Sequence, residues 1–127
     1  MTRTDSARAT GAVLSPPDAQ RLMHAGELVL VDIRRPDEWA TTGVPKGALT
    51  LDMRRPDFAA AMMQVARDNP SVPIAVICAG GVRSRWVTSA LSKAGLTNVV
   101  DIPEGMLGSA AGPGWLARGL PVDAVAE

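Results

Sequence analysis

Cys78, the only cysteine of this 127-residue chain, lies where a predicted strand gives way to a predicted helix. The run before it, 73–77, is apolar and rich in β-branched residues, which is typical of a buried strand. From Ser84 the spacing becomes helical, and Gly95 supplies a stop. The predicted buried face of this helix consists of Trp86, Val87, Ala90, Leu91 and Ala94. A lone thiol therefore enters the loop that joins a strand end to the first turn of a helix.

The loop after the thiol has the composition of an anion site. Its residues are Ala79, Gly80, Gly81, Val82, Arg83 and Ser84. Two glycines allow successive N–H groups to point inward, and the helix start adds unpaired amides and the positive end of its dipole. Arg83 and Arg85 add positive charge, and all three effects favour the thiolate, which is the nucleophilic form of cysteine. A single cysteine at the end of a buried strand can also be an inert small hydrophobe. The glycines and arginines favour the reactive alternative.

Composition excludes several classes of function. The chain has 13 basic and 13 acidic residues, so its charge implies no attraction to nucleic acid or to a membrane surface. No apolar run approaches the length of a membrane span, and the polar start of the chain predicts a cytoplasmic protein. One cysteine excludes an internal disulfide, and without a Cys/His cluster we expect neither a metal site nor a cofactor.

The hydrophobic pattern predicts one small α/β domain over 13–123, with a flexible N-terminal tail at 1–12 and a C-terminal tail at 124–127. A helix is expected to begin at Ser15 and to stop at Gly26, with His24 on its surface. The predicted strands are 28–33, 48–51, 73–77 and 98–102, and the further helices are 56–69, the one after Ser84, and a short one that ends at Gly119. Alternating strands and helices predict a mainly parallel sheet of four to five strands flanked by helices.

A second polar cluster, Asp32, Arg34 and Glu38, follows the predicted strand 28–33. In a parallel sheet, groups that follow the carboxyl ends of neighbouring strands meet at one edge, which brings Asp32 and Glu38 towards the Cys78 loop. Pro36 and the acidic residues after it suit the first turn of a short helix. We expect this cluster to shape the loop and not to react.

Three blocks of residues together resemble the single-domain rhodaneses, a family of sulfurtransferases, over 28–122. They are Val31-Asp32-Ile33-Arg34 with Glu38-Trp39, then Cys78-Ala79-Gly80-Gly81-Val82-Arg83-Ser84, then Gly105-Met106 with Trp115 and Gly119-Leu120-Pro121-Val122. The resemblance implies that Cys78 takes a sulfur atom from thiosulfate or a similar small donor and holds it as a persulfide among the loop amides. The sulfur then passes to cyanide, a thiol or a protein acceptor, and no cofactor is needed.

The chain departs from the pattern of this family at a few positions. Its turn 43–48 lacks a histidine, Glu104 stands where a glycine is common, and 109–114 resembles an insertion. Ala79 occupies a position where many thiosulfate-using members carry arginine.

The sequence leaves two alternatives open. Cysteine phosphatases and arsenate reductases also place an arginine after their nucleophile, but with five intervening residues, whereas four separate Cys78 from Arg83. A persulfide carrier or redox-sensing module that docks to a partner needs the same loaded Cys78, so the sequence does not separate it from an enzyme.

Overall fold

The computed structural model describes residues 12–125, which form a sheet between two layers of helices. The helices are α1 (Pro16–His24), α2 (Pro36–Thr42), α3 (Phe58–Asp68) and α4 (Val82–Lys93). The strands are β1 (Val29–Asp32), β2 (Val44–Pro45), β3 (Leu49–Thr50), β4 (Ile74–Ile77), β5 (Val99–Asp101) and β6 (Val122–Asp123). None of the helices within 12–125 is long and apolar enough to cross a membrane.

The main sheet has the order β3-β1-β4-β5, and all its strands are parallel. Side chains of β4 alternate between its faces: Val76 packs with α3 and α4, whereas Ile77 packs with α1 and Trp115. Both faces are covered, which is why the central strands are continuously apolar. The predicted α/β fold with a mainly parallel sheet is confirmed.

The start of the described chain joins the edge of this sheet. Ser15 caps α1 by accepting a hydrogen bond from the Asp18 N–H at 3.3 Å, as the sequence predicts. Just before it, the Ala12 carbonyl accepts from the Asp101 N–H and the Leu14 N–H donates to the Asp101 carbonyl, both at 3.0 Å. Of the predicted tails, 1–11 and 126–127 lie outside the described residues, and the domain limits 13–123 stay a prediction.

Two segments differ from the sequence-based prediction. The predicted turn around Val44 and Pro45 forms β2, which pairs antiparallel with β6. The short helix expected to end at Gly119 is instead a series of hydrogen-bonded turns. Here the Trp115 side chain is fully buried and its Nε1–H donates to the Pro121 carbonyl at 2.9 Å, so the chain folds back on itself and β6 can reach β2.

The predicted buried face of α4 is only partly right. Val87 and Leu91 are buried, but Trp86 is 66% exposed, and Ala90 and Ala94 are exposed as well. Successive residues of a helix are rotated by about 100°. The helix contacts the sheet through the narrow stripe of Val87 and Leu91, which turns Trp86 to solvent.

A buried ion pair lies at the carboxyl end of β1. The Asp32 and Arg34 side chains are 0% and 1% exposed, and Arg34 Nη2 lies 2.9 Å from Asp32 Oδ2. The same Nη2 donates to the Gly43 carbonyl at 3.0 Å, which links β1 to the segment before β2. Each of these two charged side chains therefore has a partner in the interior, where an unpaired charge would destabilise the fold.

We predict that Asp32→Asn lowers the free energy of unfolding by about 3–5 kcal/mol, because Arg34 would stay buried without its counter-charge. Urea unfolding followed by circular dichroism measures the change. Asp18→Asn is the matched control, since it removes an exposed ion pair with Arg21. A loss in Asp32→Asn no greater than in this control would show that the buried pair does not stabilise the fold.

Candidate active site

Cys78 directly follows β4, and two backbone amides point at its sulfur. The Gly81 N–H donates to Sγ at 3.2 Å and the Ser84 N–H donates at 3.3 Å. Ser84 Oγ lies 3.5 Å from the same atom. The two N–H donors that converge on the sulfur stabilise an anionic form of it. The Cys78 side chain is only 1% exposed, so this anion site lies beneath the protein surface.

The backbone at Gly81 turns the loop so that its amides face the sulfur. Gly81 has φ +86° and caps the N-terminus of α4, a left-handed conformation that favours glycine. A Cβ at this position would also collide with the Pro103 carbonyl oxygen. Both the backbone angle and the close contact therefore require glycine here.

The segment after β5 supports the loop from its outer side. The Met106 N–H donates to the Cys78 carbonyl at 2.8 Å, and the Leu107 N–H donates to the Ala79 carbonyl at 2.9 Å. Gly105 allows this approach, because a Cβ there would meet the Ala79 carbonyl oxygen. With its carbonyls bonded to this segment, the loop keeps its Gly81 and Ser84 amides for the sulfur.

An ion pair between α2 and α4 holds the loop at its other end. Both Nη atoms of Arg83 donate to the Glu38 carboxylate at 2.9 Å, and the Arg35 N–H donates to Glu38 Oε1 at 3.0 Å. The hydrogen bond from Arg83 is the largest of the effects that lower the pKa of Glu38 to about 2. Glu38 in turn raises the pKa of Arg83, with a smaller contribution from Cys78, so the guanidinium also acts on the sulfur site.

The structure connects some of the predicted residues directly to the loop and others only to the end of β1. Glu38 contacts the loop through Arg83. Arg34 donates to the Asp32 carboxylate and to the Gly43 carbonyl, and this pair shapes the end of β1. Of the other loop residues, Ala79 is half-buried, whereas Gly80 and Val82 are exposed. Within 12–125 no group of three or more His, Cys, Asp and Glu residues could hold a metal ion.

Sequence reasoning missed Asp101, a buried carboxyl on the strand next to β4. The available signal was a single acidic residue inside the apolar run 98–102. It also missed how Met106 and Leu107 support the loop, although their segment belonged to the third block.

Comparison with known proteins identifies the family. The sequence model of the Rhodanese-like domain matches residues 15–111. The chain therefore belongs to the rhodanese-like domain family, whose members are generally sulfurtransferases.

Among curated proteins, the chain is 28% identical over 101 residues to a tRNA uridine(34) hydroxylase from Synechococcus elongatus. The match covers 80% of this chain, which spans 38% of the length of that relative.

The solved structures that share the fold include the following three. A thiosulfate sulfurtransferase from Pseudomonas aeruginosa matches with a TM-score of 0.69 and 28% identity, over 90% of this chain and 20% of its own. A polysulfide-sulfur transferase homodimer from Wolinella succinogenes matches with a TM-score of 0.64 and 26% identity, over 98% and 87% of the two chains. A protein of unknown function from Rhodopseudomonas palustris, described as a possible tyrosine phosphatase, matches with a TM-score of 0.68 and 27% identity, over 94% and 90%.

We predict that Glu38→Gln lowers the free energy of unfolding by about 1–2 kcal/mol at neutral pH, because it weakens a two-bond ion pair that is partly exposed to solvent. The pKa of Glu38 is about 2 in the folded protein, against 4.5 as the ordinary value. Its contribution is therefore complete above pH 4.5 and is lost as the pH falls towards 2.

Urea unfolding at several pH values tests this prediction. The difference between the wild type and Glu38→Gln should shrink as the pH falls from 5 to about 2. Asp57→Asn is the control, because it removes an exposed pair with Arg55. A difference that is constant with pH would contradict the role given to the Glu38 charge.

Proposed function

We propose that this domain is a sulfurtransferase in which Cys78 carries a sulfane sulfur as a persulfide. The Cys78 thiolate attacks the outer sulfur of thiosulfate or a similar small donor. The S–S bond of the donor breaks, and sulfite leaves with the electron pair. Cyanide or a thiol then attacks the terminal sulfur of the persulfide and regenerates the thiolate. Such two-step covalent transfer predicts ping-pong kinetics.

The observation that carries this proposal is the pair of N–H groups aimed at Cys78 Sγ, from Gly81 and Ser84. A persulfide extends the side chain by one sulfur and moves the negative charge further into the loop. Preorganised N–H groups stabilise such a charge without reorganising during the reaction. Because the Arg83 guanidinium is engaged by Glu38, we assign the direct stabilisation to the amides and a longer-range contribution to Arg83.

Access to the sulfur needs a movement of the loop, because Cys78 exposes only 1% of its surface. We propose that the loop shifts at Gly80 to admit the donor. Gly80 is exposed and has no side chain, so it opposes such a shift least.

The phosphatase alternative is less well supported by this site. A tetrahedral phosphate needs an arginine that turns back over the nucleophile, and both Nη atoms of Arg83 instead bond to Glu38 on α2. The loop between Cys78 and Arg83 is also one residue shorter than in those enzymes. A single sulfur atom is the smaller group and fits this arrangement better.

An enzyme that turns over and a sulfur carrier both need Cys78 in its persulfide form. We therefore propose a small sulfur donor and a thiol or cyanide as acceptor, with a protein thiol as a further candidate acceptor. Steady-state turnover with cyanide would favour the enzyme, whereas one stable persulfide without turnover would favour the carrier or redox-sensing module. The cytoplasmic location stays a prediction. Because the chain spans only 38% of the length of the tRNA uridine(34) hydroxylase, we propose no RNA substrate.

We predict that incubation of the wild-type protein with thiosulfate adds one sulfur atom, because Cys78 is the only thiol. Intact mass spectrometry measures the addition, and later cyanide should remove it. Cys78→Ser should stay folded, gain no sulfur and lose thiosulfate:cyanide activity. A wild-type protein that remains unmodified, or an active Cys78→Ser, would refute the sulfurtransferase proposal.

We further predict that Arg83→Ala lowers kcat/KM for thiosulfate about tenfold, the equivalent of losing one charge-assisted contact. Without the Glu38 contact, the first turn of α4 is less firmly held and the loop amides aim less well at the sulfur. Arg67→Ala is the control, because Arg67 lies in the last turn of α3 and contacts Gln64. An equal effect in both variants would contradict the anchoring role.

A further inference from the structure

Asp101 is a buried carboxyl that the mechanism above does not use. It ends β5, its residue is 5% exposed, and its Oδ1 atom has no hydrogen-bond partner among the described residues. Burial is the largest effect on its pKa and raises it above the ordinary value. An unpartnered carboxyl oxygen in the interior is costly and calls for an explanation.

The sheet places Asp101 on the same face as Cys78. Asp101 is the register partner of Val76, and Cys78 follows Val76 by two residues, so both side chains project from the same side. Val76 and Cys78 pack in the cluster that also contains Val87 of α4. The carboxyl and the thiol are therefore diagonal neighbours beneath the first turn of α4.

Ser84 lies between these two groups. Its Oγ is 3.5 Å from Cys78 Sγ, and its hydroxyl is near enough to Asp101 to lower the carboxyl pKa, against the larger effect of burial. In this structure the Ser84 hydroxyl donates to the Gly81 carbonyl at 3.4 Å, which leaves Asp101 Oδ1 without a donor. A rotation of one hydroxyl would connect the carboxyl and the sulfur.

We propose that Asp101 modulates the protonation state of the nucleophile, sharing one proton with Cys78 through the Ser84 hydroxyl. The Sγ–H bond breaks and its proton passes to Ser84 Oγ, while the Ser84 hydroxyl proton passes to Asp101 Oδ1. The electron pair stays on the sulfur, so thiol plus carboxylate becomes thiolate plus carboxylic acid with no change of net charge. The inference rests on the nucleophilic role proposed for Cys78.

The charged and polar groups around Asp101 and Cys78 determine which of the two side chains carries the proton. On α4, Arg85 is the charged side chain that acts on Asp101, and it lowers the carboxyl pKa, as does the Ile102 N–H. The neighbours from β4 and from 12–14 are apolar, Val76 and Val13. Two negative charges in such a site repel each other. The ionised Asp101 therefore keeps the proton on Cys78, and neutral Asp101 accompanies the thiolate.

Alkylation of Cys78 by iodoacetamide tests the proposal in the full chain. Asp101→Asn keeps the size of the side chain but removes its negative charge, so the pH profile of alkylation should move about one unit towards acid. Alkylation on the acid side of the profile should then be about tenfold faster. Asp68→Asn, at the end of α3, is the control and should leave the profile unchanged. An unmoved profile in Asp101→Asn, or an equal shift in the control, overturns the proposal.

Ser84→Ala tests the connecting hydroxyl. In a double-mutant cycle, the shifts caused by Asp101→Asn and Ser84→Ala should not be additive, because both remove the same shared proton. Additive shifts would show that Ser84 does not connect the two groups and would overturn the relay.

A measurement on the intact site covers the case in which Asp101→Asn fails to fold. Carbon-13 NMR should show the Asp101 carboxyl titrating in two steps in the wild type and in one step in Cys78→Ser. Identical titration curves would overturn the proposal.

Persulfide formation with an unmoved alkylation profile would refute only this inference, whereas an absent persulfide would refute sulfur transfer and leave the alkylation test valid.

Discussion

The hydrogen bonds from the Gly81 and Ser84 amides to Cys78 Sγ are the interaction on which the rest of the site depends. They form because β4 ends immediately before the cysteine and α4 begins four residues later, so a strand end and a helix N-terminus face each other across one side chain. A backbone that presented carbonyl oxygens there would repel a negative sulfur. The left-handed conformation of Gly81 turns the peptide planes the other way.

Two distant parts of the chain hold this backbone in place. The segment after β5 bonds to the carbonyls of Cys78 and Ala79, and Glu38 on α2 bonds to Arg83 in the first turn of α4. The three blocks of the rhodanese pattern thus meet around one loop, although only the second contains the nucleophile. The Asp32–Arg34 pair contributes indirectly by fixing the end of β1, from which α2 and therefore Glu38 follow.

Burial gives the site its chemical character. Cys78 belongs to an apolar cluster with Val76 and Val87, where charge is disfavoured unless donors compensate for the lost water. The loop amides supply those donors, and Arg83 supplies a charge that Glu38 already balances. Asp101, the buried carboxyl beside Ser84, then influences whether the negative charge resides on the sulfur or on the carboxyl. The same apolar surroundings that hide the thiol from solvent strengthen each of these interactions.

The sequence by itself determined the α/β class, the parallel sheet, the Ser15 cap and the family, because apolar periodicity and turn residues act locally and the three motifs are ordered along the chain. It also placed Glu38 towards the Cys78 loop correctly, since both follow strands whose carboxyl ends share an edge. Only the tertiary structure decided that β2 pairs with β6, that the segment before Gly119 forms turns, and that Trp86 faces solvent. The same holds for Asp101, which lies against Ser84 only through the pairing of β5 with β4. These outcomes depend on contacts between residues far apart in the chain, and no local pattern of residue types encodes such distances.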